Sequence, residues 1–247
     1  MKIEGKNAVY EAINAGTTID RLIVQKGLTD HSSQRVIDAA KSRAIKIFFR
    51  DKDHLDRESA TGRHQGFVAE VTDYKYTDLD DMIARTKGKQ DALIILLDGI
   101  EDPHNMGSII RVAECVGADG VIIPKHRTAS VNETVIKVSA GAASHVQISK
   151  VTNINDCIKT LKDAGYWIYA AETGGANVYQ SKLNGKIALV VGGEGNGVKQ
   201  LTRKLCDDVL TIPMRGQLNS LNASVACGIV AFEILRQNQV SPIPNQN

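Results

Sequence analysis

Apolar and polar positions alternate along the chain in blocks. Near Asp91 the pattern changes, because uninterrupted apolar runs begin there. The residues Leu93-Ile94-Ile95-Leu96-Leu97 form an uninterrupted apolar run, which is typical of a strand buried on both faces. Further apolar runs follow, and segments with helical periodicity separate most of them. This alternation predicts an α/β fold with a mostly parallel sheet and helices on both of its faces. The later predicted strands are 121–123, 146–148, 166–171, 187–191 and 209–212.

The first part of the chain, residues 1–73, shows a different pattern and predicts a smaller α/β unit. Segments with helical periodicity at 7–13 and 32–43 alternate with short apolar strands. A polar loop at 57–66, which contains two glycines, comes before the last of these strands. The predicted strands of this unit are 21–25, 45–49 and 67–71.

The two predicted domains are separated by a polar segment. Residues 74–90 have no strand pattern, and we expect them to form a linker. The second domain is then 91–238, and it contains three loops that carry polar side chains after predicted strands. We expect the tail, 239–247, to be disordered, as chain termini with few apolar residues commonly are.

Composition and charge narrow the class of protein only moderately. The 30 basic and 28 acidic residues give a net charge of +2 and are spread evenly, so any basic patch must arise from folding. The four cysteines lie far apart without a CxxC pair, which argues against a zinc site or a disulfide framework. The charged, amphipathic start and the lack of a long apolar run predict neither a signal peptide nor a membrane span. We therefore expect a cytoplasmic protein with reduced thiols.

Residues 211–226 join a strand to the last helix, and small polar residues are concentrated there. Pro213 removes a backbone donor and ends the strand, and Gly216 lies in the loop that follows. Either Ser220 or Asn222 can cap the following helix. The amides at such a helix start point outward and can bind a ligand. An ordinary capped turn explains this stretch equally well, so the other loops must decide.

Two other loops follow predicted strands and carry polar side chains. In Asn105-x-Gly107-x-x-x-Arg111, the arginine lies one helical turn beyond the glycine and can hold an anion through its planar guanidinium. The glycine-rich loop, 192–197, lacks the lysine and hydroxyl residue that a P-loop requires after its last glycine. Glu194 in this loop would repel a phosphate, so the loop suits a cationic or hydroxyl-bearing ligand. The alternatives are a surface arginine and a solvated turn.

In this order and spacing, the three loops resemble the signature of the SPOUT methyltransferase superfamily, in its TrmH-type branch of RNA ribose 2′-O-methyltransferases. The matching motifs lie within 105–111, 192–197 and 212–224. The resemblance covers roughly residues 90–237 and implies a sheet closed by a deep trefoil knot. It also implies S-adenosylmethionine as the cofactor, and a homodimer in which the partner completes each site.

The N-terminal part also resembles a known domain. Residues 5–9 and His64-Gln65-Gly66 are similar to the ribosomal-protein-like RNA-binding domain of bacterial enzymes that methylate a guanosine in the peptidyl-transferase loop of 23S rRNA. The residues of the polar loop alone favour a solvated turn. The resemblance implies instead that Arg57, Arg63 and His64 contact rRNA.

The same resemblance implies a role for each site residue. Arg111 matches the residue proposed as the general base. A free guanidinium stays protonated at neutral pH, however, and is better suited to stabilise a developing oxyanion. Asn105, Glu194, Ser220 and Asn222 would hold Arg111 and the ribose by hydrogen bonds. No metal is needed, because the cofactor carries its own leaving group. The residues expected to bind the cofactor are Gly192, Gly193, Ile212, Met214, Leu221 and Thr173.

Other functions fit parts of the same sequence. An enzyme of this fold that methylates tRNA, or one that confers resistance by methylating rRNA, would share the three motifs. A catalytically silent RNA-binding or ribosome-assembly factor would share the fold. The intact reactive residues of all three motifs argue against the silent factor, and the N-terminal domain favours rRNA over tRNA.

Overall fold

Two compact units make up the chain, Met1–Lys75 and Tyr76–Asn247. The computed structural model describes residues 2–15, 17, 19–71, 74–193, 195, 197–217 and 219–238. The predicted disordered tail, 239–247, lies outside the described residues. No described helix combines the length and the apolar character that a bilayer crossing requires.

The first unit is an α/β sandwich on a four-stranded sheet. Its elements are β1 (Lys2–Glu4), α1 (Lys6–Asn14), β2 (Ile19–Gln25), α2 (His31–Ser42), β3 (Ile47–Arg50), α3 (Lys52–Glu58) and β4 (Phe67–Val71). The strand order is β1-β4-β2-β3, and β4 runs antiparallel to both of its neighbours. The sequence pattern missed β1 and α3, because three and seven residues are too few to show a period. Arg57 therefore lies at the end of α3 rather than in the predicted loop.

Successive residues of β4 face opposite sides of the sheet, and each side has its own core. Phe67 packs with Val9 of α1 and Val36 of α2 in the larger cluster. Val68 packs with Leu55 of α3 in a smaller cluster on the other side. This second contact fixes the end of α3, and with it the start of the polar loop that leads into β4.

The second unit is a six-stranded α/β domain. Its elements are α4 (Leu79–Ala84), β5 (Ala92–Asp98), α5 (Pro103–Cys115), β6 (Gly120–Pro124), α6 (Glu133–Val138), β7 (Ile148–Val151), α7 (Ile154–Asp163), β8 (Trp167–Asn177), β9 (Lys186–Gly192), α8 (Gln200–Leu205), β10 (Asp208–Thr211) and α9 (Ala223–Asn238). The strand order is β10-β8-β9-β5-β6-β7, and all five neighbouring pairs are parallel. The predicted α/β class and parallel sheet are thus confirmed. The trefoil knot implied by the resemblance stays a prediction.

The central strand β5 explains why this sheet forms. All seven of its residues are buried, as expected for a parallel strand covered by helices on both faces. The chain moves outward from β5 to β6 and β7 on one side, whereas β9, β8 and β10 lie on the other. Ligands of such sheets bind where the strand order reverses, beyond the carboxyl ends of the strands. In this unit that point lies at the ends of β5 and β9.

Part of the predicted linker is packed into the second unit. Met82 of α4 is buried, and a Cβ at Gly120 would overlap its sulfur atom. The side chain of Met82 thus packs directly against Gly120 at the start of β6. Thr77 also pairs with Ser149 in an isolated parallel bridge. A single buried methionine in a polar segment was too weak a signal to predict this packing.

Candidate active site

A cavity of about 540 Å³ opens at the carboxyl ends of β9 and β10, beside the middle of β8. Its described lining residues fall within three parts of the chain, 171–173, 191–197 and 210–226. All six residues expected to bind the cofactor line it, which are Gly192, Gly193, Ile212, Met214, Leu221 and Thr173. The volume lies within the range of small-molecule sites, and both apolar side chains and backbone polar groups reach the surface.

The glycine-rich loop on one wall is shaped by close backbone packing. A Cβ at Gly192 would overlap the backbone of Gly197 and Val198, so no other residue fits there without a shift of the loop. The amide of Gly197 donates to the carbonyl of Gly193 at 3.0 Å. Gly197 has a φ of 59°, in the left-handed region that favours glycine. These glycines bring two backbone segments into contact beside the cavity.

A buried carboxylate holds this loop against β5. Asp98, at the end of β5, is only 2% exposed. One of its oxygens accepts from the amide of Lys199 at 3.1 Å, and the other accepts from the lysine Nζ. Its backbone carbonyl also accepts from the amide of Gly193 at 3.2 Å. The sequence patterns did not predict a role for Asp98 or Lys199. An aspartate directly after a buried apolar run could have indicated a polar group at the end of that strand.

Asn222 links the last motif to the first. Its Oδ1 accepts from Ser224, both from the amide at 2.9 Å and from the hydroxyl at 2.6 Å, so Asn222 rather than Ser220 caps α9. Its Nδ2 donates to Oδ1 of Asn105 at 2.8 Å. Asn105 is buried within α5, whose cap is Asp102. The fold thus joins two amide side chains 117 positions apart at the edge of the cavity, where Ser220 also lies.

Arg111, another catalytic candidate, is not part of the cavity wall. Arg111 is exposed on α5 and is not among the lining residues, and within the described ranges no carboxylate lies in ion-pair distance of its guanidinium. Gly107, one turn before it, is buried against Val138 of α6. Glu194 lies outside the described residues. Among the described catalytic candidates, Asn105 and Asn222 are therefore the pair that a hydrogen bond joins.

Glu172 provides an unsatisfied carboxylate in the cavity wall. Its Oε2 is buried and accepts no hydrogen bond from the residues that the structure describes. The nearest cation is the guanidinium of Arg203, with its Nη1 3.6 Å away. Thr211 Oγ1 donates to the Glu172 carbonyl at 2.8 Å and fixes the backbone there. A negative charge beside the cavity favours a cationic ligand, which fits the S-adenosylmethionine expected from the sequence.

The cysteines offer no alternative chemistry at this site. Burial raises the pKa of the Cys157 and Cys227 thiols to about 12. Burial, assisted by the charge of Asp207, also raises the pKa of Cys206 to about 12. Cys115 is exposed, and all four thiols are free. Across the described segments, no group of three potential metal-binding side chains comes together.

In the first unit, the polar loop is organised by Glu4. Burial alone would raise the pKa of this carboxyl. Hydrogen bonds from Ser59, Ala60 and Thr61 outweigh burial and lower the pKa from 4.5 to about 2. Since these bonds favour the ionised form, they stabilise the loop fully above pH 4.5, and this contribution is lost as the pH falls towards 2.

The three candidate RNA-binding residues of this unit differ in their surroundings. Arg57 and Arg63 are exposed. His64 is 5% exposed, accepts from the Gly66 amide through Nδ1 at 3.0 Å, and has its Nε2 2.8 Å from Asp56. The neutral ring therefore carries its proton on Nε2 and donates to Asp56. His64 stabilises the loop from inside, where the expected direct contact with RNA does not fit its burial.

Comparison with known proteins agrees with this arrangement. Residues 92–232 match the model of the SpoU rRNA Methylase family, and residues 2–77 match a domain described as RNA 2'-O ribose methyltransferase substrate binding. The chain belongs to the SpoU rRNA Methylase family. Relatives in Staphylococcus haemolyticus and Staphylococcus aureus, which carry the provisional name TrmH family tRNA/rRNA methyltransferase, are each 40% identical over 95% of both chains.

Solved structures of the family share this fold at lower identity. AviRb from Streptomyces viridochromogenes, a SpoU methyltransferase in complex with AdoMet, is 24% identical with a TM-score of 0.60 and covers 96% of this chain and 90% of its own. The AdoMet-bound rRNA methyltransferase from Sinorhizobium meliloti is 23% identical with a TM-score of 0.62, covering 97% and 88%. The family match and the staphylococcal relatives confirm the expected superfamily, and these structures confirm the two-part fold.

Proposed function

We propose that this protein transfers a methyl group from S-adenosylmethionine to the 2′-oxygen of a guanosine ribose in the peptidyl-transferase loop of large-subunit rRNA. The observation that carries the proposal is the hydrogen bond between Asn222 and Asn105 beside the cavity. It joins the first and third motifs where a ribose must meet the cofactor. Amide side chains can orient a hydroxyl because they both donate and accept hydrogen bonds.

The cavity suits the methyl donor. The backbone around Gly192 and Leu221 would hold the adenosine, and Ile212 and Met214 would supply apolar contacts. The carboxylate of Glu172 in the cavity wall would attract the positive charge of the ligand. When bound, S-adenosylmethionine supplies an activated methyl group on sulfur together with its own leaving group.

The side chains of the chain then orient and stabilise the reacting ribose. Asn105, Asn222 and Ser220 would hold the 2′-hydroxyl in line with the methyl group, with Glu194 contributing from the glycine-rich loop. A guanidinium is charged at neutral pH, so the role of Arg111 in this proposal is to stabilise the oxyanion that develops as the hydroxyl proton passes to a phosphate oxygen of the substrate. Its exposed guanidinium is available for the substrate.

The proposed functional form is a homodimer that uses α9. Val225, Ile229 and Phe232 follow one another at helical spacing; Val225 and Phe232 are about half exposed, and Ile229 is partly exposed. Exposed apolar side chains in such a row mark an interaction site more often than a solvated surface. The same helix starts at Asn222, so a second copy on this face would lie close to the exposed Arg111 and could complete the site.

The choice between rRNA and tRNA rests on the first unit. Its resemblance to a ribosomal-protein-like domain, together with the exposed Arg57 and Arg63, favours rRNA. The provisional names of the staphylococcal relatives include both tRNA and rRNA. A tRNA substrate is therefore the second candidate.

The deciding experiment measures transfer of labelled methyl groups from S-adenosylmethionine to unmodified rRNA and tRNA, with the product nucleotide mapped by mass spectrometry. We expect 2′-O-methylguanosine in the peptidyl-transferase loop. Label on tRNA alone would overturn the rRNA assignment and keep the chemistry. Cofactor binding without label on either RNA would contradict the enzymatic role and favour a silent RNA-binding factor.

A further inference from the structure

A run of cationic residues outside the three motifs lies at the same edge of the sheet as the cavity. Lys125, His126 and Arg127 follow β6 directly, and all three are exposed. We propose that this basic loop, residues 125–127, binds the phosphate backbone of the RNA beside the methylated nucleotide. The inference rests on the proposed function, and it assigns a substrate-binding site to the catalytic unit itself.

The basic loop is tied firmly to the segment that carries the catalytic candidates. The hydroxyl of Thr128, which is buried, donates to the carbonyl of Ile100 at 3.0 Å. The amide of Ala129 donates to the same carbonyl at 2.9 Å. Ile100 lies two residues after Asp98 and five before Asn105, so the loop is held at a fixed place relative to both.

Glycine packing brings the loop close to the cavity wall. A Cβ built on Gly99 would lie 4.0 Å from the Arg127 carbonyl and 3.8 Å from Nζ of Lys199. A Cβ on Gly193, which lines the cavity, would in turn overlap the Gly99 carbonyl. Only the Gly99 backbone therefore separates the basic loop from the glycine-rich loop. Phosphates that flank a ribose at the cavity can reach this position.

The backbone conformation of Arg127 is a second observation that favours a ligand-binding role for its side chain. Its φ is 55°, in the left-handed region where residues other than glycine are uncommon. Glycine would adopt this turn without strain, yet the chain has an arginine there. Strained positions of this kind concentrate at ligand-binding sites. A guanidinium binds phosphate oxygens through two parallel hydrogen bonds, and a lysine adds a mobile point charge.

The surrounding charges leave these two cations available. Along the described ranges, no carboxylate lies within ion-pair distance of Lys125 or Arg127. Glu101 and Asp102 are exposed in the neighbouring loop, but Asp102 is engaged as the cap of α5. Lys199 is already paired with Asp98 and is not counted among the free charges.

The test compares two double variants that remove the same charge from opposite edges of one sheet. In Lys125→Gln/Arg127→Gln the basic loop is neutralised. In the control, Arg85→Gln/Lys87→Gln, two exposed cations with the same spacing are removed between α4 and β5, at the amino edge. Binding of a fluorescent, unmodified transcript of the peptidyl-transferase region, and of a poly(U) oligonucleotide, is measured by anisotropy at several salt concentrations. Calorimetry with S-adenosylmethionine checks that the cavity is intact.

We expect the test variant to bind both RNAs roughly tenfold more weakly at 0.1 M salt, because phosphate contacts do not depend on sequence. The slope of log Kd against log salt should fall by about 1.5, while cofactor affinity stays unchanged. The control pair should show less than half of either effect. RNA binding by the test variant equal to that of the control would overturn this inference alone. Failure of the unsubstituted protein to bind RNA would overturn the proposed function as well.

Discussion

At the scale of single residues, Arg111 is the described catalytic candidate that combines an exposed side chain with a position outside the cavity wall. A residue that acts only on the reacting ribose should matter for turnover and not for cofactor binding. The role of Arg111 can therefore be tested by measuring turnover and cofactor binding separately.

We predict that Arg111→Ala lowers methyl transfer by at least about 100-fold, the order seen when an oxyanion-stabilising group is removed. The Kd for S-adenosylmethionine, measured by calorimetry, should change less than about twofold. Arg111→Lys keeps the charge but not the planar fork and should recover only part of the activity. An Arg111→Ala protein with normal turnover would exclude this role.

Glu172 supports a second prediction, because its buried oxygen lacks a hydrogen-bond donor among the described residues. Glu172→Gln should weaken binding of S-adenosylmethionine on the order of tenfold, since a negative charge near the sulfonium is removed. Binding of S-adenosylhomocysteine, which lacks the sulfonium charge, should change much less. Calorimetry with both ligands measures the ratio.

A substitution of Arg203 is the control for this binding measurement, and its expected effect has the opposite sign. Its guanidinium is the cation paired with Glu172, so Arg203→Gln should leave the carboxylate more available and strengthen binding of the cationic ligand. Equal losses for both ligands in Glu172→Gln would mean that the carboxylate only shapes the wall.

At the scale of elements, the glycine-rich loop depends on backbone contact. We predict that Gly192→Ala lowers cofactor affinity by more than about tenfold, because its Cβ would overlap Gly197 and Val198 and displace the loop. Gly216→Ala is the matched control, since open space surrounds that position and its backbone is not left-handed. Calorimetry and thermal unfolding of both variants distinguish a local shift from loss of the fold. Normal cofactor binding by Gly192→Ala would contradict the tight loop.

The helix α9 combines two roles along its length. Its start carries the cap Asn222, which is worth about 1 kcal/mol in a typical helix and also binds Asn105. Its exposed face carries the apolar row proposed to pair with a second copy. In the proposed homodimer, one element would therefore connect the candidate site with the interface.

At the scale of the whole molecule, we predict that Phe232→Glu converts a dimer into monomers, because a charge on the apolar row cannot be buried without a partner. Light scattering after gel filtration measures the mass, and methyl transfer should fall together with the dimer fraction. Leu201→Glu, at an exposed leucine of α8, is the control and should change neither property. A monomeric mass for the unsubstituted protein would contradict the proposed assembly.

The sequence by itself determined the α/β class, the parallel sheet and the family. Continuous apolar runs such as β5 have one good explanation, a strand covered on both faces. The three motifs follow strands whose carboxyl ends meet at one edge, so their convergence was readable from order alone. The sequence did not predict β1 and α3, because three and seven residues are too few to show a period.

Tertiary structure decided which side chains are buried and what they contact. Only the fold shows that His64 is internal, that Asn222 rather than Ser220 caps α9, and that Met82 packs within the second unit. It also brings Asp98 to Lys199, and the basic loop to Gly99, across about 100 and 28 positions of chain respectively. The physical reason is that local propensity depends on neighbours along the chain, whereas burial and pairing depend on which distant segments the folded sheet places side by side.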